Sequence, residues 1–214
     1  MLRILLLGAS GLVGRETLRL ALGRGDVDGV VAPTRKPLPP HGKLINPVAG
    51  ELESLLSDAA RWTVEAVICA LGTTMAKAGS RQAFYRVDHD LALGFARAAY
   101  QQGAGALGLV SAIGATPSSR FFYPRTKGKT EADIRSLGFA SLTILRPFII
   151  EGERGESRLG ESIVLKLAEV LAPILPGGLR ANPASTIARV LIDAVVASKP
   201  GVHFVFSQDL TAKS

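Results

Sequence analysis

Tyr123 and Lys127 stand four residues apart, with Ser111 a short distance upstream. On one helix a four-residue spacing puts two side chains on the same face, so a phenol and an ammonium would project together. A phenol with an ordinary pKa of about 10 is a poor acid–base group near neutrality, but an adjacent ammonium stabilises its anion and lowers that value. A hydroxyl from Ser111, at the end of the preceding strand, could polarise a carbonyl beside the pair. Ser111, Tyr123 and Lys127 are therefore candidates for one proton-transfer unit, with Tyr123 as the donor. The plainer alternative is a surface tyrosine and lysine on an amphipathic helix.

A second set of residues opens the chain. The apolar run Leu2 to Leu7 leads into Gly8-Ala9-Ser10-Gly11-Leu12-Val13-Gly14 and then into a helical pattern. Gly8 allows the tight turn off a strand, Gly11 lets a pyrophosphate approach the backbone, and Gly14 lets the new helix pack closely on the sheet. The free N–H groups at that helix start would face phosphates. A purely structural turn is the competing reading. Downstream, Thr34-Arg35-Lys36 occupies the end of the second strand, where a site for NAD usually carries an acidic residue for the ribose hydroxyls. Arg35 offers a planar fork of donors to the extra phosphate of NADP and Lys36 adds a point charge, so NADP(H) is preferred over NAD(H). Two cations pointing into water at a strand end are the alternative.

These residues need a scaffold that brings loops together. Strands are predicted at Met1 to Leu7, 29–33, 44–48, 66–71, 106–111, 141–145 and 203–206, and helices at 12–22, 51–60, 80–102, 123–137, 162–171 and 183–197. Gly23 and Gly25 suit a helix C-terminal cap, and the long helix carries Phe84, Val87, Leu91, Phe95 and Ala98 on one face. The alternation predicts an α/β fold: a doubly wound Rossmann-type parallel sheet with helices on both faces. In such sheets ligands lie outside the carboxyl ends of the strands. That edge gathers the glycine turn, Arg35 and Lys36, the loop Leu71-Gly72-Thr73, Ser111 and the Pro147 that follows the sixth strand.

At 214 residues, one domain is expected. Residues 1–150 form the cofactor core, 151–182 a lid or substrate-side segment, and 183–214 the final helix and strand. The chain is 47% hydrophobic and 6% aromatic, as buried parallel strands require. Its net charge of +7 is scattered, without a basic block, which argues against nucleic acid. Cys69 is the only cysteine, so no internal disulfide can form, and its place at the end of an apolar strand marks a core thiol. Met1 to Leu7 is too short for a signal segment, and with no uninterrupted spanning run a cytoplasmic protein without a membrane partner is expected. Glu151, Glu153, Glu156 and Glu161 alternate with Arg154 and Arg158, a salt-bridged loop rather than a metal site. His41, His89 and His203, the second on an exposed helix face, have no ligand spacing, so no metal is expected. Leu109-Val-Ser-Ala-Ile113 lacks the glycines of a hydrolase nucleophile elbow. Phe121, Phe122 and Phe148 make a partly apolar pocket or ordinary core.

With the G-x-x-G-x-x-G spacing, Ser111 and Tyr123-Pro-Arg-Thr-Lys127, the chain resembles the extended and atypical short-chain dehydrogenase/reductases of the NAD(P)-binding Rossmann superfamily. Cys69-Ala-Leu-Gly-Thr-Thr-Met-Ala-Lys-Ala-Gly79, Val87-Asp88, Lys127-Gly128 and Arg154-Gly-Glu-Ser-Arg-Leu-Gly-Glu161 narrow the likeness. They are similar to the atypical branch of the Tat-interacting protein and its bacterial nucleoside-diphosphate-sugar-epimerase-like relatives, over nearly the whole chain. The resemblance implies NADP(H) binding, with Lys127 also holding the nicotinamide ribose, and leaves the substrate open. Asp88 departs from the pattern, because many extended members carry there an Asn that relays protons through a helix kink. Three functions follow: an oxidoreductase acting on a small carbonyl or alcohol, an NADP(H)-dependent sensor or scaffold with little turnover, and a nucleotide-sugar epimerase or dehydratase. The expected partners are a small, partly apolar substrate and a second copy or another protein.

Overall fold

Residues of alternating parity in the central strands feed opposite faces of one sheet, which is the origin of the architecture. The computed structural model describes residues 1–59, 61–151 and 181–211. In β1 (Arg3–Leu7), Leu5 and Leu7 enter one core while Ile4 and Leu6 enter the other. The same division recurs in β4 (Ala66–Cys69), where Val67 and Cys69 oppose Ala66 and Ile68, and in β5 (Ala106–Val110), where Leu107 and Leu109 oppose Ala106 and Val110. Strands buried on both faces must be covered by helices on both sides.

With β2 (Gly29–Val31), β3 (Leu44–Ile45), β6 (Ser141–Arg146) and β9 (Gly201–Phe206), these strands form a seven-stranded sheet in the order β3-β2-β1-β4-β5-β6-β9. All neighbouring pairs are parallel. The fold is therefore the expected doubly wound α/β sheet, with its reversal of strand order between β1 and β4. One face is covered by α1 (Leu12–Gly23) and α7 (Ala184–Ala197), and the other by α2 (Leu56–Ala59), α5 (Ala92–Gln101) and α6 (Phe122–Ser136). Four-residue α3 (Met75–Ala78) and five-residue α4 (Arg81–Tyr85) precede α5, and α8 (Ser207–Thr211) follows β9.

Several local expectations are corrected. The regular β2–β3 ladder is shorter than predicted, because Pro47 has no N–H to give the Ala32 carbonyl, which takes the Asn46 amide at 2.6 Å instead, and pairing resumes only as a bridge between Thr34 and Val48. The predicted helix over 51–60 is a 3₁₀ turn at Leu52–Leu55 running into α2. Neither Gly23 nor Gly25 caps α1 in a left-handed conformation; Arg24 is the extended cap. The Arg24 guanidinium instead forks onto Asp26 at 2.8 Å and reaches Asp193 of α7 at 2.6 Å. The long helix over 80–102 is interrupted: Arg86–Leu91 forms a π turn between α4 and α5. Such an insertion turns side chains out of α-helical register. Two further strands, β7 (Ile149–Glu151) and β8 (Ala181–Pro183), pair in parallel beside the main sheet. The predicted charged loop after Glu151, the helix over 162–171 and most of the proposed lid lie outside the described residues.

Candidate active site

The turn after β1 is shaped by backbone crowding. Gly8 has φ +85°, and a Cβ there would lie 2.5 Å from the Ala70 carbonyl oxygen; a Cβ at Gly14 would lie 1.9 Å from the Gly8 oxygen. Only glycine lets α1 start so close to β1 and β4. Gly11 is the N-cap of α1 and offers no side-chain acceptor, and its first turn contains no acidic residue. The first N–H groups of this helix are thus open at the end that favours anions.

Ser10, Gly11, Leu12 and Val13 line one side of a cleft of about 660 Å³. Leu71, Gly72 and Thr73 line its floor, and Ser111, Tyr123, Lys127 and Pro147 its far side. These predicted residues converge at the carboxyl edge of the sheet. Gly8, Ala9 and Gly14 lie outside the cleft lining, in the packed strand–helix junction, where Ala9 and Gly14 are buried. Arg35 and Lys36 stand exposed after β2, outside the cleft lining, on a loop held by Asn46. The Asn46 amide donates to Thr34 Oγ1 at 2.8 Å and its carbonyl accepts from the Leu38 N–H at 2.8 Å, while Thr34 Oγ1 donates to the Lys36 carbonyl at 2.7 Å. Arg15 and Lys77 also border the cleft, two cations that the motif reading passed over. Arg15 directly follows the last glycine of the turn, which is the signal that could have found it.

Tyr123 enters on the first turn of α6, where Pro124 fits because a first-turn N–H has no helical acceptor. Its ring meets Phe84 edge-on at 5.8 Å and is 43% exposed. Lys127, one turn later, is buried and its ammonium lies 2.6 Å from Asp88 Oδ1. Burial alone would lower the lysine pKa, but the Asp88 charge, the Tyr123 hydroxyl and the hydrogen bond to Asp88 outweigh it and hold it above the ordinary lysine value. Asp88 Oδ2 accepts the Thr73 N–H at 2.8 Å, and the Asp88 carbonyl accepts from Thr130 Oγ1 at 3.0 Å. The π turn thus delivers a buried carboxylate to the lysine.

Ser111 lines the cleft, but its hydroxyl donates to Glu131 Oε1 at 2.5 Å. Glu131 also accepts from the Arg146 guanidinium at 3.0 and 2.5 Å, and that guanidinium lies 4.7 Å over the Phe204 ring. A carboxylate paired with arginine can only accept, so the serine proton is committed to it rather than to a carbonyl in the cleft. Sequence reading missed Glu131, although it lies four residues beyond Lys127 on the same helix.

Other candidates are placed elsewhere. His89 is buried, not on an exposed face: its ring nitrogens lie 2.8 Å from Asp90 and 2.7 Å from Asp133 of α6, and the ring stacks on Tyr85 at 4.4 Å. The π turn faces α6 and so encloses it. Cys69 is buried at the end of β4, and burial pushes its thiol up to about 11, in keeping with a core thiol. Phe148 borders the cleft, Phe121 is exposed, and Phe122 packs against Phe84 at 5.6 Å.

No protein-family model matches the chain. It is 37% identical over 204 residues to the mitochondrial protein Fmp52 of Aspergillus clavatus, covering 91% of this chain and 87% of the relative. To the mitochondrial Fmp52 of Saccharomyces cerevisiae it is 36% identical over 163 residues, covering 72% and 68%. Among solved structures it is similar to the Bordetella bronchiseptica enzyme WbmH in complex with NAD+, with a TM-score of 0.73 and 14% identity over 97% of this chain and 76% of that one. A UDP-Glc/GlcNAc 4-epimerase of Campylobacter jejuni gives a TM-score of 0.71 at 13% identity, covering 99% and 82%. These likenesses bear out the expected resemblance to epimerase-like short-chain reductases at the level of fold. The cytoplasmic expectation is corrected, since the sequence relatives are named as mitochondrial proteins.

Proposed function

The chain belongs to the family of the fungal Fmp52 proteins, and on that premise we propose that it is an NADP(H)-dependent oxidoreductase of the short-chain dehydrogenase/reductase type. Its substrate is a small, partly apolar carbonyl compound or alcohol. The observation that carries this reading is the convergence of the uncapped start of α1 with Tyr123 and Lys127 on one cleft. The open N–H groups after Gly11 fit a pyrophosphate, with Leu71, Gly72 and Thr73 alongside. Arg35 and Lys36 are the residues for the 2′-phosphate of NADP, on a loop whose shape Asn46 fixes. Bound there, the nicotinamide supplies or accepts the hydride. Tyr123 transfers the proton, Lys127 holds the phenol and the ribose, and Phe148 and Ile150 give the substrate side its apolar character.

Purified protein with NADPH and a panel of aldehydes and ketones tests the reading. Oxidation of NADPH that falls by about 100-fold or more in Tyr123→Phe supports it, as expected for loss of a positioned general acid. Unchanged turnover in that variant removes Tyr123 from the chemistry. A second reading, an NADP(H)-loaded binding protein with little turnover, is favoured by the prior pairing of both polar partners, Ser111 with Glu131 and Lys127 with Asp88. Tight NADPH binding without oxidation across the panel is its signature.

A further inference from the structure

Ser111 directly follows β5, and its surroundings fix what its hydroxyl offers the cleft. Its N–H is spent on the Leu145 carbonyl of β6 at 2.8 Å. Its Oγ lies 2.5 Å from Glu131 Oε1, and both residues are 4% exposed. Two oxygens that close need a proton between them, and a carboxylate paired with arginine has none to give. Glu131 is itself clamped, with Arg146 Nε on Oε1 at 3.0 Å and a second guanidinium nitrogen on Oε2 at 2.5 Å. Arg146 ends β6 and lies over the Phe204 ring of β9, which anchors the clamp in the sheet. The Ser111 proton therefore points at Glu131, and Oγ has only lone pairs left for a ligand. A bare carbonyl or carboxylate oxygen brought to Ser111 would set lone pair against lone pair. An O–H or N–H would be received.

The neighbouring polar groups are of the opposite kind. Lys127 and Tyr123 line the same cleft, and the ammonium has donors only, while the phenol has an O–H to give. Ser111 and Lys127 also share a smaller hollow with Cys69, Leu71 and Asp88, so acceptor and donor serve one end of a ligand. We propose that Ser111 is a hydrogen-bond acceptor for substrate, kept so by Glu131 as a positioning residue, and that the substrate carries a hydroxyl beside its carbonyl, as in a 2-hydroxy ketone or aldehyde. The carbonyl oxygen is met by donors and the hydroxyl by Ser111. The carbonyl half of this assignment rests on the reductase reading, and the hydroxyl half on the Ser111–Glu131–Arg146 chain. The substrate hydroxyl keeps its proton throughout, so Ser111 selects without taking part in bond making.

The test uses two ketones that differ by one hydroxyl, 2-hydroxyacetophenone and acetophenone, titrated against the full chain by ligand-observed NMR without cofactor. Wild type is expected to bind the hydroxy ketone about 10-fold more tightly, the worth of one hydrogen bond. In Ser111→Ala, which leaves Glu131 with Arg146, the preference is expected to fall to about twofold or less. Equal binding of the two ketones by wild type, binding of neither, or a preference that survives in Ser111→Ala overturns the proposal. The double variant Glu131→Met/Arg146→Met removes the clamp without leaving a lone buried charge and frees the Ser111 proton to turn into the cleft. There the preference is expected to shrink because acetophenone binds more tightly, a gain that damage to the fold would not produce. An unchanged preference removes Glu131 from the account. If the double variant does not fold, Ser111→Ala decides alone. Neither cofactor nor turnover enters these titrations, so the two readings fail separately. A hydroxyl preference without NADPH oxidation keeps the acceptor and removes the reductase, and NADPH oxidation without a preference does the reverse.

Discussion

The two walls of the cleft treat their polar groups in opposite ways. The glycine turn and the start of α1 present backbone N–H groups that no side chain caps, on a backbone too crowded at Gly8 and Gly14 for any residue but glycine. The wall built from α6, the π turn and the end of β5 has paired its polar groups internally, Lys127 with Asp88 and Ser111 with Glu131. One wall is left incomplete for a ligand, and the other is complete without one.

The contrast breaks most visibly on the paired side. Lys127→Met leaves Asp88 as an uncompensated buried anion and should destabilise the protein by about 3–5 kcal/mol in urea unfolding, with Asp88→Leu in the same chain restoring most of the loss. A loss confined to a few tenths of a kcal/mol would show that the pair is hydrated. The pair also has a pH signature. Lys127 titrates above its ordinary 10.5, so its contribution is complete below that value and is lost as the pH rises through the folded-state pKa. Wild type and Lys127→Met should converge in stability at that alkaline end. On the glycine side, Gly14→Ala places a methyl 1.9 Å from the Gly8 oxygen. Backbone must shift to admit it, costing about 3 kcal/mol, at the upper end of ordinary overpacking; an unchanged urea midpoint would mean that α1 can slide. The smallest effect is expected for Tyr123→Phe. With 43% of the tyrosine exposed, its stability should stay within about 0.5 kcal/mol of wild type, so that its effect on turnover can be read as chemistry.

Elements with local signals were legible in the sequence. The apolar strands, the glycine turn and the Tyr123–Lys127 spacing each depend on neighbours a few residues away, and each is where it was expected. Groups whose state depends on distant partners were not. Asp88 read as a missing asparagine, although its carboxylate meets Lys127 only because the π turn faces α6. His89 looked exposed because Asp133 is remote in sequence, and Ser111 looked available because Glu131 carries no sign of its partner. The β7–β8 pair joins segments on either side of residues 152–180, and no periodicity in a three-residue strand announces it. Arg35 was chosen by its place after the second strand and its guanidinium, and Asn46, which shapes its loop, has no motif to mark it.

The central claim is that the open wall holds a phosphorylated dinucleotide. Its most direct test is titration of the purified protein with NADPH and NADH, followed by nicotinamide fluorescence and melting temperature, in wild type and Arg35→Glu. The expected result is tighter binding of NADPH than NADH, with NADPH affinity lost by about 10- to 100-fold in the variant, the worth of one or two charge-assisted hydrogen bonds, and NADH affinity retained. Binding of neither nucleotide, or an Arg35→Glu variant that binds both as wild type does, would contradict it.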